Sequence, residues 1–253
     1  MIDIHSHILW GLDDGAETIE ESIAMLKLAA ESGTTDIVAT PHANSQYRYE
    51  SDIVESRIAE LSSRYVGKLH IHRGCDFHLS FDNVQRVVEN PAQFAVNDGP
   101  YLLVEFPDGP LAGMKRVLSM LLDRGLIPIM THPERHVYLR RIPREFEEWV
   151  EMGCLAQVTA QSLLGRFGNR SQESAWEMVS RDLAHFVASD GHDVEDRPPR
   201  LDLAFQALST KAGEPKARRL CIDNPAAVLS GKTIWVEPPR RKPWYRFFSL
   251  GGK

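Results

Sequence analysis

The chain has 253 residues, of which 43% are hydrophobic and 25% charged, proportions ordinary for a globular protein. Its formal net charge of −6 argues against a general nucleic-acid binder, whose surface is expected to be basic. Because no apolar run is long enough to span a bilayer and no signal-peptide pattern is present, we expect a cytoplasmic protein without a transmembrane segment. Three widely separated cysteines, Cys75, Cys154 and Cys221, fit a reducing compartment without disulfides.

Short apolar runs alternate with segments of helical periodicity along most of the chain. They predict strands at 2–5, 36–40, 68–74, 101–106, 126–131, 154–158 and 185–189. They predict helices at 19–30, 53–65, 84–88, 111–121, 146–150, 175–179, 201–208 and 216–221. Seven strand-then-helix units imply a parallel sheet, and closure into a barrel is the simplest way to bury it. We therefore expect an α/β fold with one barrel domain, residues 1–232.

The remaining segment, residues 233–253, is predicted to be a tail. Residues 237–248 are rich in proline, basic and aromatic side chains and show no clear period. This composition is consistent with a loosely docked tail, and also with a docking segment for a partner or an anionic membrane surface. The sequence does not decide between them.

The first strand carries two histidines at positions i and i+2. Side chains at this spacing share one face of a strand, so His5 and His7 can bind the same metal ion. Asp13 or Asp14 adds a carboxylate oxygen nearby. The alternative is a surface strand with two unrelated histidines.

Other ionisable residues follow the later strands in the same way. Because the carboxyl ends of parallel barrel strands meet at one rim, these residues are expected to gather with the two histidines. Nitrogen and oxygen ligands without thiolate suit manganese, iron, zinc or cobalt, in a cluster of two or three ions that can generate hydroxide. The residues concerned are His42, Asp76, Glu105, His132, Asp190 and His192.

Two arginines lie close to these positions, Arg135 after His132 and Arg197 after His192. Their planar guanidinium groups match phosphate oxygens, which makes both candidate substrate clamps, although each could form an ordinary salt bridge instead. A cysteine phosphatase is excluded, because it needs an arginine six positions after the nucleophile. The residues six positions after the three cysteines are Phe81, Ala160 and Ala227.

The chain resembles the PHP (polymerase and histidinol phosphatase) family, and more narrowly its bacterial tyrosine phosphatases of capsule and exopolysaccharide operons. The resemblance runs from Met1 to about Leu229, with motifs in matching order and spacing. The narrower likeness lies in the opening Met-Ile-Asp-Ile-His-Ser-His-Ile and in Ile222-Asp223-Asn224-Pro225. The wider motifs are His5-Ser6-His7, Asp14-Gly15, Ala39-Thr40-Pro41-His42, Glu105, His132-Pro133-Glu134-Arg135 and Ser189-Asp190-Gly191-His192.

This resemblance implies a distorted (β/α)7 barrel with a trinuclear site, usually supplied with manganese, though Fe, Zn, Co or Mg are also compatible. It implies hydrolysis of phosphotyrosine on protein, typically on a partner tyrosine kinase that controls polysaccharide synthesis. A metal-bridging hydroxide would attack phosphorus without a phosphoenzyme, and Arg135 and Arg197 would hold the phosphate. Carried over by position, the metal ligands are His5, His7, Asp14, His42, Asp76, Glu105, His132, Asp190 and His192.

Two departures from the family pattern bear on function. Asp76 stands where glutamate is usual, and Ala43-Asn44 follows His42 where another histidine or a basic residue is frequent. Two alternatives therefore remain: a phosphatase of a small phosphomonoester (sugar phosphate or histidinol phosphate), and a kinase-binding regulator that has lost turnover. No general acid can be named, and Asp13 is interpreted as a turn residue.

Overall fold

The protein is described from a computed structural model covering residues 1–107, 113–141, 143–234, 236 and 239. Nine strands lie in these ranges: β1 Ile2–Ser6, β2 Asp36–Ala39, β3 His42–Ala43, β4 His70–Arg73, β5 Asp76–His78, β6 Tyr101–Glu105, β7 Ile127–Thr131, β8 Leu155–Thr159 and β9 Phe186–Ala188. The α-helices of the same ranges are α1 Ile19–Glu31, α2 Ser51–Arg64, α3 Phe81–Glu89, α4 Met114–Asp123, α5 Pro143–Glu151, α6 Ala160–Leu163, α7 Asn169–Ser180, α8 Asp202–Ala212, α9 Glu214–Arg218 and α10 Asn224–Leu229.

All strand pairs are parallel, as the alternation of strands and helices predicts. The strands nevertheless form two sheets, in the orders β1-β2-β4 and β3-β5-β6-β7-β8-β9. In the part of the chain that the structure describes, the strands therefore do not close into the predicted barrel. An isolated bridge joins Ser6, the last residue of the edge strand β1, to Gly191, which follows the edge strand β9.

The division into two sheets arises where the predicted second and third strands are interrupted. The prediction that the second strand ends at Pro41 is incomplete, because the chain pairs again as β3 directly afterwards. Pro41 has no N–H to donate to the ladder, but its carbonyl accepts from the Asp76 N–H (3.2 Å). The third stretch is interrupted in the same way, between β4 and β5, so each stretch contributes to both sheets.

One face of the larger sheet packs on a group of buried apolar side chains that also includes Ile4 and Val38, here called the inner core cluster. This face becomes polar toward the carboxyl ends of the strands. Leu103, Ile129 and Leu155 are paired in register and belong to that cluster. Because side chains alternate along a strand, the residues two positions later lie on the same face. Those residues are Glu105, Thr131 and Gln157.

Helices corresponding to the predicted ones are present, with shifts of a few residues at their ends. The start of the 111–121 prediction and most of the tail fall outside the described residues. Of the tail's described residues, Ile234 and Val236 pack against the inner core cluster. Within the described ranges, no helix combines the length and the apolar composition needed to cross a bilayer.

A buried histidine just before β9 makes stability depend on pH. His185 is 4% exposed and its Nδ1 accepts the Ala156 N–H (3.0 Å), while burial lowers the pKa of His185 to about 4. The contribution of neutral His185 to the free energy of unfolding is fully present above the unfolded-state pKa of 6.5. It is lost as the pH falls toward 4. The lowered pKa corresponds to a loss of about 3 kcal/mol.

We expect His185→Asn, which keeps an acceptor for the backbone but does not titrate, to flatten this dependence. Urea unfolding of both proteins between pH 7 and pH 4, with chelator present, measures the difference. Parallel stability curves for the two proteins would contradict the assignment.

Candidate metal centre

The nine predicted ligands lie together at the carboxyl ends of the strands. They form four overlapping groups, and within each group the nitrogen and oxygen donor atoms all lie within 4.8 Å of one another. The groups are His7, Asp14, His42 and His192; His5, His132 and Asp190; His5, His7 and Asp76; and His42, Asp76 and Glu105. Because neighbouring groups share residues, the donors form one continuous cluster.

The two histidines at the end of β1, His5 within it and His7 directly after it, direct their Nε2 atoms into the same space. His5 Nδ1 lies 2.9 Å from the side-chain oxygen of Gln157, and His7 Nδ1 lies 2.6 Å from Asp13 Oδ2. In the neutral form of each ring these acceptors hold the proton on Nδ1, so Nε2 carries the lone pair. The two Nε2 atoms are 3.2 Å apart. Two lone pairs facing each other at this distance repel, unless a cation or a proton lies between them.

Asp76 is fully buried and connects two of the groups. Its Oδ2 lies 3.6 Å from His5 Nε2 and 3.1 Å from His42 Nδ1, but without hydrogen-bond geometry to either. A buried carboxylate oxygen without a partner is costly, and a bound cation would satisfy it. His42 belongs to two groups through different nitrogens, since its Nε2 lies 3.3 Å from Asp14 Oδ1. A neutral imidazole offers only one lone pair, so it can serve one of these groups at a time.

His132 and Asp190 follow β7 and β9 in unusual backbone conformations. Their φ angles are +34° and +52°, a region that residues other than glycine rarely adopt and that is found most often at functional sites. Asp190 Oδ1 faces the histidines, 3.5 Å from His5 Nε2 and from His7 Nε2. Asp190 Oδ2 accepts from the guanidinium groups of both Arg135 and Arg197. One carboxylate therefore joins the donor cluster to the two arginines.

Two glycines of the sequence motifs allow the chain to approach itself closely. A Cβ on Gly15 would lie 2.1 Å from the carbonyl oxygen of His7, and one on Gly191 would lie 2.7 Å from Cα of Pro199. Any larger residue would displace these backbone segments. The glycines of the Asp-Gly motifs thus hold Asp14 and Asp190 against β1 and the loop before α8.

The carboxylates of the cluster attract positive charge. Burial opposes the charged form of His7, but attraction to Asp13 raises its pKa to about 9. Burial likewise opposes charge on His42, yet the carboxylates of Asp14 and Asp76 raise its pKa to about 11. In contrast, burial lowers the pKa of His132 to about 4 and of His192 to about 3, which leaves both neutral. Neutral imidazoles beside carboxylates suit borderline divalent ions, so this donor set fits two or more of them.

The sequence is similar to known proteins over almost its full length. The profile of a family described as "Capsular polysaccharide synthesis, CpsB/CapC" matches residues 1–230. The chain belongs to the CpsB/CapC family. It is 34% identical to the putative tyrosine-protein phosphatase CapC of Staphylococcus aureus, over 97% of this chain and 99% of that protein. It is 33% identical to the tyrosine-protein phosphatase YwqE of Bacillus subtilis, over 98% of this chain and 100% of that protein.

Members of the family have solved structures. A chain from the crystal structures of YwqE from Bacillus subtilis and CpsB from Streptococcus pneumoniae, described as metal-dependent tyrosine phosphatases, superposes with a TM-score of 0.90. The two chains are 32% identical, and the alignment covers 96% of this chain and 100% of the other. A more distant likeness, to an organophosphorus hydrolase variant with a TM-score of 0.59 and 11% identity, concerns the fold alone.

Residues outside the predicted family ligand set also shape the centre. Asp13 Oδ1 accepts the Gly15 N–H (3.0 Å), which confirms the predicted turn, and its Oδ2 also orients His7. Gln157, which orients His5, gives no signal in the sequence because it is 152 positions away. Glu134 belongs to the motif His132-Pro133-Glu134-Arg135 but not to the predicted ligand set. Its buried carboxylate accepts from the Thr159 N–H, and burial raises its pKa to about 7.

Proposed function

We propose that this chain is a metal-dependent phosphatase that hydrolyses phosphotyrosine in proteins. The convergence of nine nitrogen and oxygen donors and two arginines on one rim is the observation that carries the proposal. The similarity of the chain, over almost its full length, to tyrosine-protein phosphatases of the same family supports phosphotyrosine as the substrate over other phosphate esters.

The proposed metal ligands are the nine residues predicted from the sequence, and manganese is the proposed metal. Two or three divalent ions fit the four overlapping donor groups. Bound there, such ions would lower the pKa of water and neutralise charge on phosphoryl oxygens. The chain's own contribution is to orient the ligand nitrogens, through Gln157 and Asp13, and to exclude competing protons from His132 and His192 by burial.

Arg135 and Arg197 are the proposed phosphate clamps. Both contact Asp190 Oδ2, so their guanidinium groups lie beside the donor cluster, where a substrate phosphate would be bound. The phenol of tyrosine has an ordinary pKa of about 10, so tyrosinate can depart without a strong general acid. The three cysteines are buried, and burial raises the pKa of each thiol, which disfavours a thiolate nucleophile.

The remaining sequence expectations are proposals of finer detail. The proposed substrate protein is a tyrosine kinase that controls capsule or exopolysaccharide synthesis, and the proposed compartment is the cytoplasm. The two sheets are proposed to form one distorted, incompletely closed barrel of seven strand stretches around the inner core cluster, with residues 1–232 as the domain and 233–253 as its tail.

The decisive experiment is metal analysis of the purified protein combined with a comparison of substrates. We expect manganese-dependent hydrolysis of a phosphotyrosyl peptide and of p-nitrophenyl phosphate, abolished by chelator. A sugar phosphate, histidinol phosphate and a matched phosphoseryl peptide should be hydrolysed much more slowly. Faster turnover of a small phosphomonoester would favour the alternative substrate class, and no turnover with metal bound would favour the regulatory alternative. Activity that persists after exhaustive chelation would exclude the metal mechanism.

Asp13→Asn is expected to weaken metal binding without removing any proposed ligand. An asparagine amide can donate to His7 Nδ1, which would place the proton on Nε2 and block that nitrogen as a ligand. Changes to a group that orients a metal ligand cost roughly 10- to 100-fold in metal affinity. Calorimetric titration with manganese measures the effect.

Asp52→Asn, on the exposed start of α2, changes the charge equally and serves as the control. Unchanged affinity in the Asp13 variant would show that the carboxylate does not orient His7.

A further inference from the structure

An aromatic side chain outside every sequence motif lies against both candidate phosphate clamps. Phe167 is half-buried in the loop between α6 and α7. The guanidinium carbon of Arg135 lies 4.2 Å from the centre of its ring, and that of Arg197 lies 6.0 Å away. Both distances are within the range of cation–π attraction.

Helix α6 and the loop that carries Phe167 are both tied to the loop that carries Arg197. The side chains of Gln161 and Arg166 both donate to the carbonyl oxygen of Asp196, at 3.3 Å and 3.1 Å. The indole N–H of Trp176, on α7, donates to the carbonyl oxygen of Leu163 (3.1 Å) and so fixes the other side of the loop. The position of the ring relative to Arg197 is therefore set by the fold.

A ring is a different kind of partner for an arginine from a carboxylate. Asp190 occupies one terminal nitrogen of each guanidinium group, and a phosphate would need N–H donors of the same kind. An aromatic face attracts the guanidinium group through its plane and leaves the N–H groups at the edge free. It also lowers the cost of holding two like charges side by side, without neutralising either.

We propose that Phe167 is a positioning residue that holds Arg135 and Arg197 together in the orientation that receives the substrate's phosphate. This inference rests on the proposed function, because it assigns the phosphate to that pair. The consequence is that removal of the aromatic face weakens phosphate binding while the metal ligands remain intact.

The test compares Phe167→Leu, which keeps an apolar side chain, with Phe167→Tyr, which keeps the aromatic face. With manganese bound, we expect the leucine variant to raise both the KM for p-nitrophenyl phosphate and the Kd for inorganic phosphate roughly 5- to 30-fold, the effect of losing one or two cation–π contacts. Its kcat should change by less than about threefold, because the positioned groups chiefly bind phosphate. The tyrosine variant should remain within about twofold of wild type.

Phe205→Leu is the matched control, since Phe205 is also half-buried but lies on α8. It should leave KM, Kd and metal content unchanged. The proposal is overturned if Phe167→Leu binds inorganic phosphate as wild type does, if the tyrosine variant loses as much affinity as the leucine variant, or if wild type binds no phosphate. A catalytically inactive wild type would contradict the proposed function. The role of Phe167 in phosphate binding could still be tested, because calorimetry measures the Kd for inorganic phosphate without turnover.

Discussion

Asp76→Ala is expected to lower kcat by about a thousandfold and to reduce the amount of bound metal. Losing a ligand shared by two donor groups removes several kcal/mol of stabilisation of the charge that develops in the transition state. Each 1.36 kcal/mol corresponds to a factor of ten in rate. Asp76 belongs to two of the four donor groups and is fully buried, so solvent cannot replace its carboxylate. Elemental analysis and aryl phosphate kinetics measure the two effects together.

Asp76→Glu is the informative companion, because it introduces the residue that is usual in the family. We expect it to keep the metal and to remain within about tenfold of wild-type activity, since the ligand type is unchanged. The added methylene must fit beside Thr131, whose hydroxyl donates to Asp76 Oδ1 (3.3 Å).

Melting of the metal-free proteins separates ligand loss from unfolding. Asp76→Ala leaves His42 without one of the carboxylates that raise its pKa, so the melting temperature of the apoprotein should fall, and metal content and kinetics are measured well below it. If Asp76→Ala retains full metal content and wild-type kcat, the proposed ligand role is wrong.

Replacing Arg135 or Arg197 by alanine is expected to lower kcat/KM on the order of 100- to 1,000-fold each, the typical effect of removing one preorganised donor at a developing charge. Metal content should be unchanged, because neither arginine is a proposed ligand. Lysine should restore activity only partly, since it cannot present two parallel N–H groups to phosphate. The double variant should lose less than the product of the single losses, because both arginines share Asp190 Oδ2.

Arg200→Ala is the control for this series. Arg200 forms an exposed ion pair with Asp202 (2.5 Å) at the start of α8, and such pairs contribute little to stability. It should leave kcat/KM unchanged. Wild-type kinetics in both Arg135→Ala and Arg197→Ala would show that the arginines do not bind the substrate phosphate. If kcat/KM falls only in proportion to lost metal, the arginines instead support Asp190 as a ligand.

The elements and the chemistry of the site could be predicted because their signals are local. The strand and helix periods appear within a few residues of one another, and polar residues recur just after apolar runs, as His42, His132 and His192 do. In parallel strands connected by helices, carboxyl ends lie at the same edge, so the convergence of these side chains follows from the order of elements alone.

The sequence predicts one closed barrel, whereas the described strands form two sheets. The prediction treats each apolar run as one continuous strand. The chain instead pairs again after Pro41, as β3, and after β4, as β5, and both of these short strands belong to the larger sheet. Two residues of strand are too few to produce a recognisable period. The single bridge between Ser6 and Gly191 likewise depends on how the ends of the sheet meet, which no local pattern reports.

By itself, the sequence determined the parallel α/β alternation and the polar residues that follow the strands, including the two arginines, because these are local patterns. The resemblance to the family then completed the nine proposed ligands by selecting Asp14. Only the tertiary structure decided which groups support them: Gln157 on His5, Asp13 on both His7 and a turn, and Phe167 against the arginines. Such supporting contacts join segments far apart in the chain. Side chains of many types can make them, so they leave no characteristic residue pattern, whereas metal and phosphate accept few kinds of ligand.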